Sequence, residues 1–224
     1  MQMPGYVSQA LKRFGHDAGL SADTPCKYVP PNYGKFTQFA EVDLSPRLTP
    51  SDAKRIQEIV GVFSYYARIM DSTMLCAVTK LSSGQAKPTR NTMAAAERLL
   101  DYAESHQDAI VTFKASSMIY HVHSDASYYS ESNARSRAGG MHYLGDAALA
   151  TDECVPNGSI LDISTIIDVV CSSAFEAEYG ALFINGKEAG AIRTTLADIG
   201  YPQRETEIVT DNTTAQAVAT GAAK

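Results

Sequence analysis

The chain has 224 residues, 45% of them hydrophobic and 20% charged, with a formal net charge of −6. That is an ordinary balance for a globular protein with a real core, and the negative sign argues against a strong non-specific nucleic-acid binder. The charge is uneven: residues 1–117 carry 13 Lys and Arg against 11 Asp and Glu, and residues 118–224 carry 6 against 14. The acidic half is by default a solvated surface, and it can also gather carboxylates around a divalent metal.

No apolar run reaches the length of a membrane span, and the opening "MQMPGYVSQALKRFG" lacks the apolar core of a signal peptide, so an intracellular location is expected. The four cysteines, Cys26, Cys76, Cys154 and Cys171, are widely spaced and form no C-x-x-C pair. They read as incidental thiols rather than a zinc site or a disulfide frame.

Residues 1–48 read as a loop-rich arm. One short helix is expected through "YVSQALKRFG", followed by Pro-dense turns with little to bury. A long helix follows, with Thr49 as N-cap, Pro50 at its first position, and Ile56, Ile59, Val60, Phe63, Tyr66, Ala67 and Met70 at helical spacing. Further helices are expected over about 72–82 and about 91–104, the latter with Met93, Ala96, Leu99, Leu100 and Ala103 on one face.

The texture changes at Asp108. "AIVTF" and "SMIYHVHSD" read as strands joined through "KASS", followed by strands "RAGGMHYLGD" and "GSILDISTII". The polar stretch at about 146–157 reads as a loop. A long helix over about 172–199 opens on the S-x-x-E pattern of Ser173 and Glu176 and stops at Gly200. "TEIVTDN" is a short strand, and "TTAQAVATG" begins a last helix. Consecutive strands followed by a helix crossing to a further strand imply a mixed sheet covered by helices.

Two readings of "MIYHVHSDASYY" compete. His121, His123 and Asp125 share one face of a strand, so His121-x-His123 resembles the zinc ligands of barrel hydrolases. Such barrels run to roughly 250 residues, and His142 is the only later histidine here. The other reading takes Asp125 alone, at a strand end, with Asp211 at another strand end and Glu178 in the first turns of the long helix. Ligands gather at such strand ends in open α/β sheets. Glu178 has Ala174, Ala181 and Leu182 as helix neighbours, so it projects from the apolar sector, where an unpaired carboxylate is costly. A metal ion or a buried salt bridge would each offset that cost. Glu188, among Ile184, Ala191 and Ile192, is a rival position. Carboxylates without cysteine suit magnesium or manganese, and two such ions hydrolyse phosphodiesters.

"HSDASY", "RSRAGGMHYLG", "SSAFEAEYGAL" and "IVTDN" follow one another in order. This set resembles the RNase H domain of copia-type retrotransposon reverse transcriptases. "VGVFSYYARIMDSTMLCAVTKLS" and "AAAERLLDYAESHQDAI" resemble the connection segment before that domain, and "MPGYVSQALKRFG" resembles the end of the polymerase thumb. The resemblance covers nearly the whole chain, through an ordered series of individually short motifs. It implies a thumb-derived arm over 1–48, a helical connection over 49–107 and an RNase H-like domain over 108–224. The implied fold class is α/β, a mixed five-stranded sheet, incomplete at the C-terminus, flanked by helices.

The resemblance further implies that Asp125, Glu178 and Asp211 are catalytic and hold two Mg2+ ions, with Mn2+ as a substitute. The partners would be an RNA–DNA hybrid and the polymerase domain of the same polyprotein. A hybrid is read by shape through its 2′-hydroxyls. Asn133, Arg135, Arg137 and Asn212 are the candidate contacts to it, with a solvated loop as the bland alternative for the arginines. Three departures stand out. The family's fourth acid would fall beyond Lys224, no tryptophan follows the first Asp, and no Y-x-D-D polymerase motif occurs. An inactive nucleic-acid-binding or interaction module is the alternative. An integrase of the same fold class fits the S-S-x-x-E-A-E-Y helix less well.

Overall fold

The computed structural model describes residues 1–16, 21–27, 40–146 and 156–221. The chain divides into two compact units, one formed by Met1–Pro31 with Val42–Val111, the other by Asn32–Glu41 with Thr112–Lys224. No helix among the described residues is long and apolar enough to cross a membrane.

The first unit is helical: α1 (Tyr6–Arg13), α2 (Pro50–Ile69), α3 (Leu75–Gly84), entered through a 3-10 turn at Ser72–Met74, and α4 (Arg90–Ser105). Their starts follow local chemistry. Thr49 accepts from the Asp52 N–H with Pro50 in the first turn, and Thr89 and Thr92 form a reciprocal capping box at α4. Ile56, Ile59, Phe63, Ala67, Leu99, Leu100 and Ala103 form the centre of one core. Val7, Leu11 and Phe14 of α1 are buried in that same core. Residues 1–16 therefore have more to bury than an arm would, because α1 turns one face wholly inward.

The second unit holds β1 (Ile119–Glu131), β2 (Arg135–Gly145), β3 (Ser159–Ile166), α5 (Ala174–Asp198), β4 (Ile208–Val209) and α6 (Thr213–Ala219). It is an α/β unit with a four-stranded mixed sheet among the described residues, in the order β3-β2-β1-β4. β1, β2 and β3 are antiparallel neighbours, and β4 joins parallel to β1. The expected strand at Ala109–Phe113 does not form. The Val111 N–H and carbonyl pair with the Met1 carbonyl and amino group instead, and the Lys114 N–H is taken by the Asn157 side chain. With its polar groups met in this way, the run needs no sheet neighbour. β1 is correspondingly longer than the sequence suggests, running past Asp125 to a hairpin in which Asn133 and Ala134 both have positive φ, 59° and 54°. The expected loop at about 146–157 lies largely outside the described residues, as does Cys154. Cys171 is a buried free thiol.

α5 packs on β1 and β2. Ser173 caps it, accepting from the Glu176 N–H, while the Glu176 carboxylate takes the Ser172 N–H and hydroxyl. At the other end Gly200 adopts φ 95°, and Tyr201 N–H closes back on the Leu196 carbonyl. The apolar core beneath α5 comes in two patches. Ala177 and Ala181 pack with Ala138, Ile167 and Cys171; Ala189 and Leu196 pack with Tyr120 and Val122.

Candidate metal centre

Strand pairing places the first two carboxylates. Val122 lies opposite Ile208 and His123 opposite Val209 in the parallel β1–β4 pair. Two residues beyond that last pair stand Asp125 on β1 and Asp211 just past the end of β4. β4 ends at Val209, so β1 has no ladder partner on that edge beside Ala126. The Ala126 N–H turns instead to side chains, donating to Asp125 Oδ1 at 2.8 Å and Glu178 Oε1 at 3.3 Å. The third carboxylate comes from the second turn of α5, where Glu178 follows Ser173 and is only 8% exposed.

Carboxylate oxygens of Asp125, Glu178 and Asp211 lie within 4.8 Å of one another. At an effective dielectric of about 20, two unit charges ~4.8 Å apart repel by roughly 3 kcal/mol. Water around the exposed aspartates lowers that figure. One amide hydrogen bond contributes about 1 kcal/mol, too little to offset repulsion within the group. Burial, the Asp125 charge and, more weakly, the Asp211 charge push the Glu178 carboxyl up to about 7, against the opposing Ala126 hydrogen bond. Glu178 Oε2 is itself buried with no hydrogen-bond partner among the described residues. A partnerless oxygen inside an acidic cluster is the environment a cation relieves. All-oxygen donors suit a hard ion such as Mg2+ or Mn2+, so these residues fit the metal that the sequence implies.

No family model matches the chain, and no curated protein or solved structure matches it.

The histidines stand apart from the carboxylates. His121 Nε2 donates to the Asp146 carbonyl at 2.9 Å, and His123 Nε2 pairs with the Tyr143 hydroxyl at 3.1 Å. Both rings pack against Tyr143. Among the described residues neither belongs to a cluster of metal-ligating side chains. Glu188, the rival to Glu178, is exposed.

The four candidate substrate contacts are scattered. Asn133 sits exposed at the β1–β2 turn. Arg135 donates from Nε to the Ile167 carbonyl at 2.8 Å and pairs with Asp168 at 3.3 Å. Arg137, expected at the surface, is 6% exposed; it pairs with Glu131 at 2.7 Å and donates to the Ser164 hydroxyl. Asn212 caps α6, its side chain accepting from the Ala215 N–H.

The sequence reading passed over a polar network between the two apolar patches under α5. Asn185, fully buried, joins Ser124, His142 and the Gly139 carbonyl, and His142 joins the Tyr120 hydroxyl. A signal for it exists in the sequence. Asn185 lies four residues from both Ala181 and Ala189, in the middle of the inward stripe of α5.

Proposed function

We propose that the α/β unit is an RNase H-type endonuclease that cuts the RNA strand of an RNA–DNA hybrid by two-metal hydrolysis. On this reading it serves reverse transcription inside the cell, as part of a copia-type retrotransposon polyprotein that also supplies the polymerase domain. The observation that carries the reading is the convergence of three carboxylates, one of them with a buried, unpartnered oxygen. The ordered motifs around those same three residues supply the reaction class.

Asp125, Glu178 and Asp211 would hold the ions. When bound, they supply an activated water and stabilise the charge that develops on the leaving oxygen of a phosphodiester. The protein's own part is orientation. The Ala126 N–H fixes Asp125 against Glu178, and the β1–β4 pairing fixes Asp125 against Asp211. Asp125 and Asp211 are exposed, which leaves that side of the cluster open to a duplex backbone. Recognition through 2′-hydroxyls and phosphates needs no base readout. Asn133 is the exposed member of the four candidates, while Arg137 supports the hairpin through Glu131.

A second reading, a metal-binding interaction module without turnover, is favoured by one observation. The cluster holds three carboxylates and no fourth among the described residues. A labelled RNA–DNA hybrid with MgCl2 separates the two. The nuclease reading expects cuts in the RNA strand alone, lost in Asp125→Asn. Undiminished cutting by Asp125→Asn would sink it, and metal binding without any cutting would leave the interaction module.

A further inference from the structure

We infer that Asn185 is the positioning residue of this centre: its buried amide ties together the backbone segments that aim Asp125 and Glu178. The inference rests on the metal-centre reading above. The two N–H groups of Asn185 Nδ2 are shared among three acceptors, Ser124 Oγ at 3.0 Å, the Gly139 carbonyl at 3.0 Å and the Ala181 carbonyl at 2.9 Å. Each acceptor adjoins a carboxylate. Ser124 precedes Asp125 on β1, Gly139 is the β2 residue directly opposite Asp125, and Ala181 lies one turn beyond Glu178 on α5. One amide thus reaches β1, β2 and α5 at the level of the site.

The orientation of that amide is set by its other end. Asn185 Oδ1 accepts from His142 Nε2–H at 2.9 Å, which leaves His142 Nδ1 to accept from the Tyr120 hydroxyl. A flipped amide would set an oxygen against the Gly139 and Ala181 carbonyls, which can only accept. The backbone has made room for it: a Cβ on Gly140 would stand 1.8 Å from Asn185 Oδ1. Its neighbours at four-residue spacing on α5, Ala177, Ala181 and Ala189, are small and apolar, and Glu178 is the other polar side chain that α5 buries. A polar group at such a position adds little net stability over a well-packed apolar one, but it fixes geometry. Asp211 is outside this network. Asn185 therefore governs the Asp125–Glu178 half of the centre, and the β4 register governs the rest.

The test measures Mn2+ binding to the full chain by electron paramagnetic resonance, and the waters left on bound Tb3+ by luminescence lifetime. Asn185→Leu, with folding checked by circular dichroism, is expected to weaken Mn2+ by about 10- to 100-fold and to raise the water count as a carboxylate is displaced. His142→Leu, which frees the amide to turn, should do the same to a lesser degree. His142→Gln keeps a donor for Asn185 Oδ1 and should restore both readouts. A folded Asn185→Leu with wild-type affinity and water count overturns the positioning role alone. Absence of binding by the wild-type chain overturns the metal centre and this inference with it. If Asn185→Leu does not fold, the contrast between His142→Leu and His142→Gln decides, and equal binding by the two overturns the role.

Discussion

At the scale of single residues, Glu178 is the group whose ionisation the fold opposes. Burial and the neighbouring Asp125 charge push its carboxyl up to about 7, against an ordinary value of 4.5. The folded chain therefore holds a proton that the unfolded chain releases. That contribution to stability is fully present below about pH 4.5 and is lost as the pH rises through about 7. On the order of 2 kcal/mol of metal-free stability should disappear between pH 5 and pH 8. A bound divalent cation cancels the Asp125 and Asp211 charges around Glu178, so saturating MgCl2 should restore most of the loss at pH 8. Urea midpoints at the two pH values, with and without MgCl2, measure this. Glu178→Gln carries no titrating group, so its pH slope should flatten; a slope equal to wild type would mean that other groups set the profile. Asp125, Glu178 and Asp211 were legible in the sequence because acids at strand ends and within an apolar helix stripe stand out against their surroundings. Asn185 was legible only as a polar residue midway between Ala181 and Ala189 on the inward stripe, and the local sequence does not name its partners on β1 and β2. Arg137 failed the other way: its charge suggested the surface, but Glu131 sits in the facing β-strand and neutralises it.

At the scale of elements, helix boundaries followed the sequence closely because caps and 3.6-residue periodicity are local signals. α2, α4 and α5 each begin at the Thr or Ser that caps them. Strands depend on neighbours that the local sequence does not name. "AIVTF" has strand-forming residues but finds no ladder, whereas β4 forms from only two residues because side chains hold its approach in place. Gln203 does so by imitating a strand backbone. Its Oε1 accepts from the Tyr120 N–H and its Nε2 donates to the Met118 carbonyl, both at 3.0 Å, continuing the β1 edge where β4 has not yet begun. Arg193 of α5 clamps the same connection, donating to the Arg204 and Gln203 carbonyls and to the Thr206 hydroxyl. Since the place of Asp211 depends on the β4 register, Arg193 bears on the carboxylate cluster at a distance in sequence. Arg193→Ala should cost about 1.5–3 kcal/mol of stability, the range of hydrogen bonds that involve a charged group. It should also weaken Mn2+ binding without altering any ligand. Denaturant melts and a Mn2+ titration of the same variant check both, and an unchanged Mn2+ affinity would show that β4 keeps its register without the clamp.

At the scale of the whole chain, the two units differ in what a divalent cation can do to them. Acidic residues outnumber basic ones in residues 118–224 and not in 1–117, and all three clustered carboxylates belong to the α/β unit. A ligand stabilises only the folded elements that it binds, by an amount set by its concentration relative to Kd. Protection on adding MgCl2 should accordingly be uneven along the chain. Amides of β1 around Ala126, of the first turns of α5 and of the β4–Asp211 segment should exchange more slowly, by about 100-fold at 100 times Kd if they open only by unfolding the unit. Amides of α2, α3 and α4, whose core contains none of these carboxylates, should keep their rates. Hydrogen exchange read by mass spectrometry on the intact chain resolves the two groups in one experiment, with Asp125→Asn as the control in which the Mg2+ effect vanishes. Equal slowing in α2–α4 would mean that the cation acts through general charge screening. In that case the convergence of Asp125, Glu178 and Asp211 would not be the seat of binding.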